Sequence, residues 1–129
     1  MKRRTAREKA LQALFQIDVS NTDPTSALDH VLDGEAGDDY LSKLVLGVVE
    51  HKAEIDHLII GNLEKWSIDR LATVDRNLLR LAVYELQYLQ DEVPKNVILD
   101  EAIEIAKIFG DDQSSKFINA VLSKVKQKL

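Results

Sequence analysis

The chain has 129 residues, of which 45% are apolar and only 5% aromatic, with five Gly, two Pro and no Cys. That length suits one domain with a real core. So few Gly and Pro argue against an all-β chain, which needs a turn every ~8–12 residues, and the absence of Cys excludes disulfides, thiol catalysis and cysteine-based metal clusters.

The net charge of −5 is unevenly spread: residues 1–16 carry five bases against Glu8, residues 113–129 carry four lysines and no acid, and the middle carries 8 bases against 21 acids. A chain of this kind can offer nucleic acid a local basic patch while staying acidic overall. The longest apolar run, Leu44–Val49, is too short to span a membrane. Lys2, Arg3 and Arg4 could open a signal peptide, but Arg7, Glu8, Lys9 and Gln12 interrupt its apolar stretch, so the expected location is cytoplasmic.

Thr5 and Glu8 have capping-box spacing, and Ala10, Leu11, Leu14 and Phe15 recur at helical intervals, predicting a first helix to about Val19. Residues 20–39 hold six acids and no Lys or Arg and form the expected flexible insert. Within it, Asp23-Pro24 opens a short helix that Gly34 closes. From about Asp38 to Leu63 one apolar stripe (Leu41, Leu44, Val45, Val48, Val49, Ile55, Leu58, Ile59, Leu63) predicts a single helix of six or seven turns. Trp66 lies in the next connection, where Ser67 can cap a short helix over Ile68–Leu71.

The helix from Thr73 or Asp75 to about Leu89 is apolar around most of its circumference, which marks a central helix, with Asp75, Arg76 and Arg80 at whatever edge stays outside. After Val93-Pro94, a helix with Val97, Ile98, Ala102, Ile105, Ala106 and Phe109 inward runs to Gly110. Phe117, Val121, Leu122 and Val125 stripe the last helix. The expected fold is an all-α bundle of six or seven helices, one domain over 1–129 with packed halves of about 1–65 and 66–129.

Phosphate-binding glycine loops, dinucleotide fingerprints and nucleophile elbows are missing. Glu54-x-x-His57 has di-iron spacing but lacks a second such pair, so Glu50, Glu54 and His57 read as a solvated face, and neither metal nor cofactor is expected. Arg3, Arg4 and Arg7 crowd a helix N-terminus, an end already positive, and two readings compete there. One is a frayed, solvated end; the other is an anion site for phosphate. On the last helix Lys116, Asn119 and Ser123 form a polar basic stripe beside Phe117, and both Phe15 and Phe117 are either core or stacking platforms.

Three ordered blocks carry a family resemblance: Arg3 to Phe15, Val74 to Leu86, and Val93-Pro94 through Gly110 to Lys116-Phe117-Ile118-Asn119-Ala120-Val121-Leu122. Over nearly the whole chain the sequence resembles the bacterial transcription antitermination factors of the NusB family. The resemblance implies an all-α fold of two helical halves and no enzymatic activity. It also implies pairing with the small-subunit ribosomal protein NusE, binding of boxA-type single-stranded RNA, and entry into an antitermination complex on RNA polymerase.

Carried over by position, Lys2, Arg3, Arg4, Arg7, Phe15, Lys116, Phe117 and Asn119 are the expected RNA-facing residues, and Asp75, Arg76 and Leu79 the NusE-facing ones. Thr5 interrupts a longer arginine run, and Ala120 stands where the family usually has glycine. A helical adaptor that touches no RNA is the alternative, and a homodimer covering the RNA surface stays open. Certain ribosomal-RNA cytosine methyltransferases share such a domain, but this chain has no catalytic domain beside it.

Overall fold

Helix α5 (Thr73–Tyr88) buries ten consecutive side chains from Asn77 to Leu86 together with Asp75, and the other helices are arranged as its cover. A computed structural model describes residues 1–65 and 67–129. Among these residues there are seven α-helices, a 3-10 turn at Ile68–Arg70, and no strand. Helices α1 (Arg3–Ser20), α3 (Asp39–Glu50), α4 (Lys52–Ile60), α6 (Lys95–Phe109) and α7 (Ser114–Lys128) all pack on α5, while α2 (Pro24–Leu32) closes over α1 and α3. One apolar cluster runs from Ala6 on α1 to Val125 on α7. No described helix is long and apolar enough to cross a membrane.

Local chemistry accounts for most boundaries. Asp23 accepts from the Ser26 amide ahead of Pro24, and Asp38 accepts from the Leu41 amide at 3.0 Å. Helix α2 ends through Asp33 (φ 48°) and Gly34 (φ 84°), where glycine costs least. The 3-10 turn replaces the expected short helix, and Ser67 makes no side-chain cap. The connection assigned to Trp66 lies outside the described residues.

Three expectations need correction. The first helix starts at Arg3, so Thr5 is internal and no capping box forms. Its opening turn closes through Ala6 N–H to Lys2 O at 2.9 Å, and Asp38 pairs with the terminal amine, so tertiary contacts displace the local cap. The long stripe from Asp38 to Leu63 is two helices, interrupted at His51 (φ −106°, ψ 18°). There the His51 ring stacks on Tyr88 at 4.3 Å, and the change of direction lets Asp56 reach Arg80 while Ile55 and Ile59 stay buried. Val97 and Phe109, expected inward, are partly exposed, because α6 turns Ile98, Ala102 and Ile105 to the core instead.

Gly47 explains how closely α3 and α5 approach. A Cβ at this position would lie 2.1 Å from Tyr84 Cζ, well inside contact distance. Gly47→Ala gains helix propensity worth up to ~1 kcal/mol but must displace the buried Tyr84 ring, an overpacking cost of about 1–3 kcal/mol. A net loss of stability is expected in urea denaturation, relieved by the double variant Gly47→Ala/Tyr84→Leu. A single variant as stable as the parent would contradict the close approach.

Candidate nucleic-acid interface

The three arginines at the start of α1 have different fates. Arg7 points inward: its side chain is 4% exposed, and its Nε and Nη2 donate to the Glu85 carboxylate at 2.9 Å. Tyr40 Oη donates to the same carboxylate at 2.7 Å, so donors from α1 and α3 converge on Glu85, while Arg7 Nη1 also reaches Glu101 at 3.5 Å. Burial disfavours the Arg7 charge, but the Glu85 bonds outweigh it and its pKa is raised. Burial also pushes the Tyr40 phenol up, helped by the Glu85 charge. Arg7 is therefore a core ion-pair member and not a phosphate contact, which corrects the sequence expectation.

Arg4 stays exposed and makes a fork to Glu101 on α6, with Nε at 3.1 Å and Nη2 at 2.5 Å. The hydrogen bond from Arg4 holds the Glu101 carboxyl below its usual range. Arg3 lies over the Tyr40 ring at 4.6 Å and donates to Glu92 O, so its charge keeps no carboxylate partner among the described residues. Lys2 is exposed beside it. The predicted repulsion at this helix end is thus relieved by Glu85, Glu101 and the Tyr40 ring.

Further along α1, Phe15 is 40% exposed. With Gln12, Gln16, Val74 and Phe109 it lines an open groove of about 430 Å³. Arg4 and Phe15 are eleven positions apart, or about 16 Å along the helix axis. Pairing of Arg7 with Glu85 and of Asp18 with Asn77 shows that α1 and α5 are antiparallel, so the arginines sit by the C-terminal end of α5.

The N-terminal end of α5 carries the residues expected to meet NusE. Asp75 is buried, with Oδ1 lacking a hydrogen-bond partner among the described residues; burial pushes its pKa up, and a bond from the Ser114 hydroxyl opposes this only in part while the Asp111 charge adds to it. It borders a cavity of about 260 Å³ with Leu71, Ala72, Asp111 and Phe117. Arg76 is mostly covered and pairs with Asp18 at 2.7 Å, and Arg80 is buried between Asp56 and Asp18. Burial opposes the Asp18 charge, but bonds from Asn77 and Arg76 hold its pKa down. Leu79 is fully buried and cannot touch a partner, which corrects the expectation for that position. Asp75 and Arg80 are likewise interior groups, not an outer edge.

On α7, Lys116 and Asn119 are exposed and Phe117 is half-buried, facing the Asp75 cavity. Asn119 Oδ1 accepts from Ser123 Oγ at 3.3 Å. The two basic ends therefore do not merge: Lys116 lies by the N-terminal end of α5 and Arg3 and Arg4 by its C-terminal end. Phe15 borders α5 at Val74, and Phe117 borders it at Asp75. Glu54 accepts from the Tyr88 hydroxyl, and no group of three metal-ligating side chains occurs among the described residues. Tyr40, Glu85 and Glu101 were missed as partners of the arginines. The available signal was Glu85, an acid within a helix that is apolar nearly all round.

The NusB family model matches residues 4–127. The transcription antitermination protein NusB of Bacillus velezensis is 60% identical over 98% of this chain and 96% of its own length. That of Bacillus subtilis is 54% identical over 100% and 98%. Among solved structures, T. maritima NusB superposes with a TM-score of 0.91 at 39% identity, covering 99% of this chain and 92% of that one. A chain from the crystal structure of antitermination factors NusB and NusE with dsRNA gives 0.87 at 31% identity, covering 98% and 97%.

Removing one member of the Arg7–Glu85 pair leaves a buried charge uncompensated, so Arg7→Gln or Glu85→Gln is expected to cost about 3–5 kcal/mol in denaturant titration. A loss under 1 kcal/mol would show the pair is not buried in solution. Asp75 behaves in the opposite sense. Its raised folded pKa means the charged form is penalised, fully so above the folded pKa and not at all below the unfolded one. The stability of Asp75→Asn relative to the parent is therefore expected to fall as the pH is lowered from 7 through the carboxylate range; a gap that widens on acidification would contradict this.

Proposed function

The chain belongs to the NusB family, and from that premise we propose that it is a transcription antitermination factor that pairs with NusE and binds boxA-type single-stranded RNA. In this reading it acts in the cytoplasm on nascent ribosomal transcripts, within an antitermination complex on RNA polymerase. Its role is binding, not catalysis. The observation that carries the reading is the exposure of both basic elements with an aromatic beside each: Lys2, Arg3 and Arg4 with Phe15 on α1, and Lys116 and Asn119 with half-buried Phe117 on α7. Cations address phosphates, and accessible rings accept bases of any identity.

The NusE-facing surface is assigned to the Asp75 cavity. A buried carboxylate oxygen without a donor, as Asp75 Oδ1 is among the described residues, is costly alone and favourable once a partner brings a cation or N–H to it. Arg76 and Leu79 support this surface from beneath, Arg76 by holding Asp18 and Leu79 by filling the core. One observation favours the adaptor reading, in which no RNA is touched: Arg4 and Arg7 already have carboxylate partners within the chain. RNA titration separates the two.

If Lys2, Arg3, Arg4 and Lys116 each meet one phosphate, log Kobs is expected to fall with log salt at a slope of about −3, and Lys116→Gln to flatten it by about 0.7. Phe15→Ala is expected to weaken binding by ~1–3 kcal/mol at unchanged slope, because stacking releases no counterions. Asp75→Lys is expected to abolish pairing with NusE while leaving RNA binding by the chain alone intact. Measurements belong at concentrations where light scattering shows monomers, since a homodimer over the Phe15 groove would compete with RNA. A slope near zero would favour the adaptor.

A further inference from the structure

The ring of Tyr40 meets two of the N-terminal arginines. Arg3 lies over it, with Cζ 4.6 Å from the ring centroid, and Arg7 Cζ stands 5.9 Å from the same centroid. The ring is fixed from both ends. Its backbone lies in the first turn of α3, which Asp38 caps through the Leu41 amide, and its hydroxyl donates to Glu85. Tyr40 is half-buried against the core, so one part of the ring is packing and the rest is a surface for Arg3.

Arg3 is held differently from its neighbours. Arg7 is buried and spent on Glu85, and exposed Arg4 gives Nε and Nη2 to Glu101. Both have committed N–H donors to a carboxylate. A contact with an aromatic face consumes none of them, because the attraction is between the charge and the ring's quadrupole. The nearest acid does not change this: the Glu92 carboxylate is turned to Lys43 at 3.0 Å, and Arg3 Nη1 takes the Glu92 carbonyl at 3.3 Å. Arg3 is therefore oriented without being neutralised. An unanchored exposed arginine loses its rotamer freedom when it meets a phosphate, and an arginine already laid on a ring loses less.

We propose that Tyr40 is a positioning residue for RNA: its ring presents Arg3 to a backbone phosphate, and its hydroxyl ties that presentation to the buried Arg7–Glu85 pair. Tyr40 touches no RNA in this arrangement and acts through Arg3. The inference rests on the RNA-binding reading of the preceding subsection.

The test separates the ring from the hydroxyl. Tyr40→Phe and Tyr40→Leu both lose the bond to Glu85, and both are expected to melt below the parent. They differ in the ring. For oligouridylate of about 12 nucleotides, Tyr40→Phe is expected to bind within about twofold of the parent, and Tyr40→Leu about two- to tenfold more weakly, the range set by ordering one long side chain. Arg3→Gln is expected to weaken binding and to flatten the salt slope by about 0.7. Adding Tyr40→Leu to Arg3→Gln is expected to cost less than about twofold more, since the ring has lost the group it acts through. Pentafluorophenylalanine at position 40 keeps the shape of the Phe variant and reverses the ring quadrupole. It is expected to bind RNA as weakly as Tyr40→Leu, and it keeps the test decisive if Tyr40→Leu does not fold.

RNA affinity that falls equally in all three Tyr40 variants makes the residue structural and overturns the proposal. Affinity that falls in none of them, or losses from Tyr40→Leu and Arg3→Gln that simply add, overturn it as well. In each of these cases the parent still binds RNA and the RNA reading stands. Failure of the parent to bind single-stranded RNA, alone or with NusE, overturns the RNA reading and the positioning role with it.

Discussion

The buried pair of Arg7 and Glu85 sets the geometry on which the rest of the molecule depends. It joins the first turns of α1 to the last turns of α5, seventy-eight positions away, and Tyr40 at the start of α3 closes on the same carboxylate. Three helices are thereby held at one place by charge-assisted bonds that tolerate little misplacement. A pair of this kind adds little net stability over an apolar substitute, but it penalises every arrangement that leaves either charge alone. Its effect is to choose one packing of α1 on α5. A second polar cluster, Asp18 with Arg76, Asn77 and Arg80, does the same at the far ends of those two helices.

From this constraint follows the division of labour among the N-terminal bases. With Arg7 committed to the interior, Arg3 and Arg4 are placed on the rim, one over the Tyr40 ring and the other forked to Glu101. The positive end of α1 is not a bare cluster waiting for phosphate. It is a neutralised end whose outer arginine can exchange one anion for another. The antiparallel course of α1 on α5 brings Phe15 beside Val74 at the N-terminal end of α5, and Phe117 of α7 borders the Asp75 cavity at that same end. Partner and RNA readings meet at that ring.

Helix existence and order were legible because apolar residues recur at three and four and because Pro24, Gly34, Pro94 and Gly110 punctuate the pattern. Phe15, which the sequence leaves open between core and surface, is exposed, as are Lys116 and Asn119. What could not be read were features decided by distant partners. Thr5 has the local chemistry of a cap, yet Asp38 and Glu101 draw the helix start back to Arg3. The stripe from Asp38 to Leu63 is continuous in sequence, and only the ring of Tyr88 on another helix interrupts it at His51. Arg7 differs from Arg4 by three positions, nearly one turn, and nothing local says which of them turns inward.

The central claim is that the arginine end combines a fixed interior pair with an exchangeable outer one. The most direct measurement is the affinity of Glu101→Gln for single-stranded RNA at low salt, read alongside its melting temperature. Removing this acid frees Arg4 and leaves Arg7 with Glu85. The pair is held at the surface, where solvent screens it, so the account predicts tighter binding, a steeper salt slope and a nearly unchanged melt. Binding that is unchanged or weaker in a variant that still folds would contradict it.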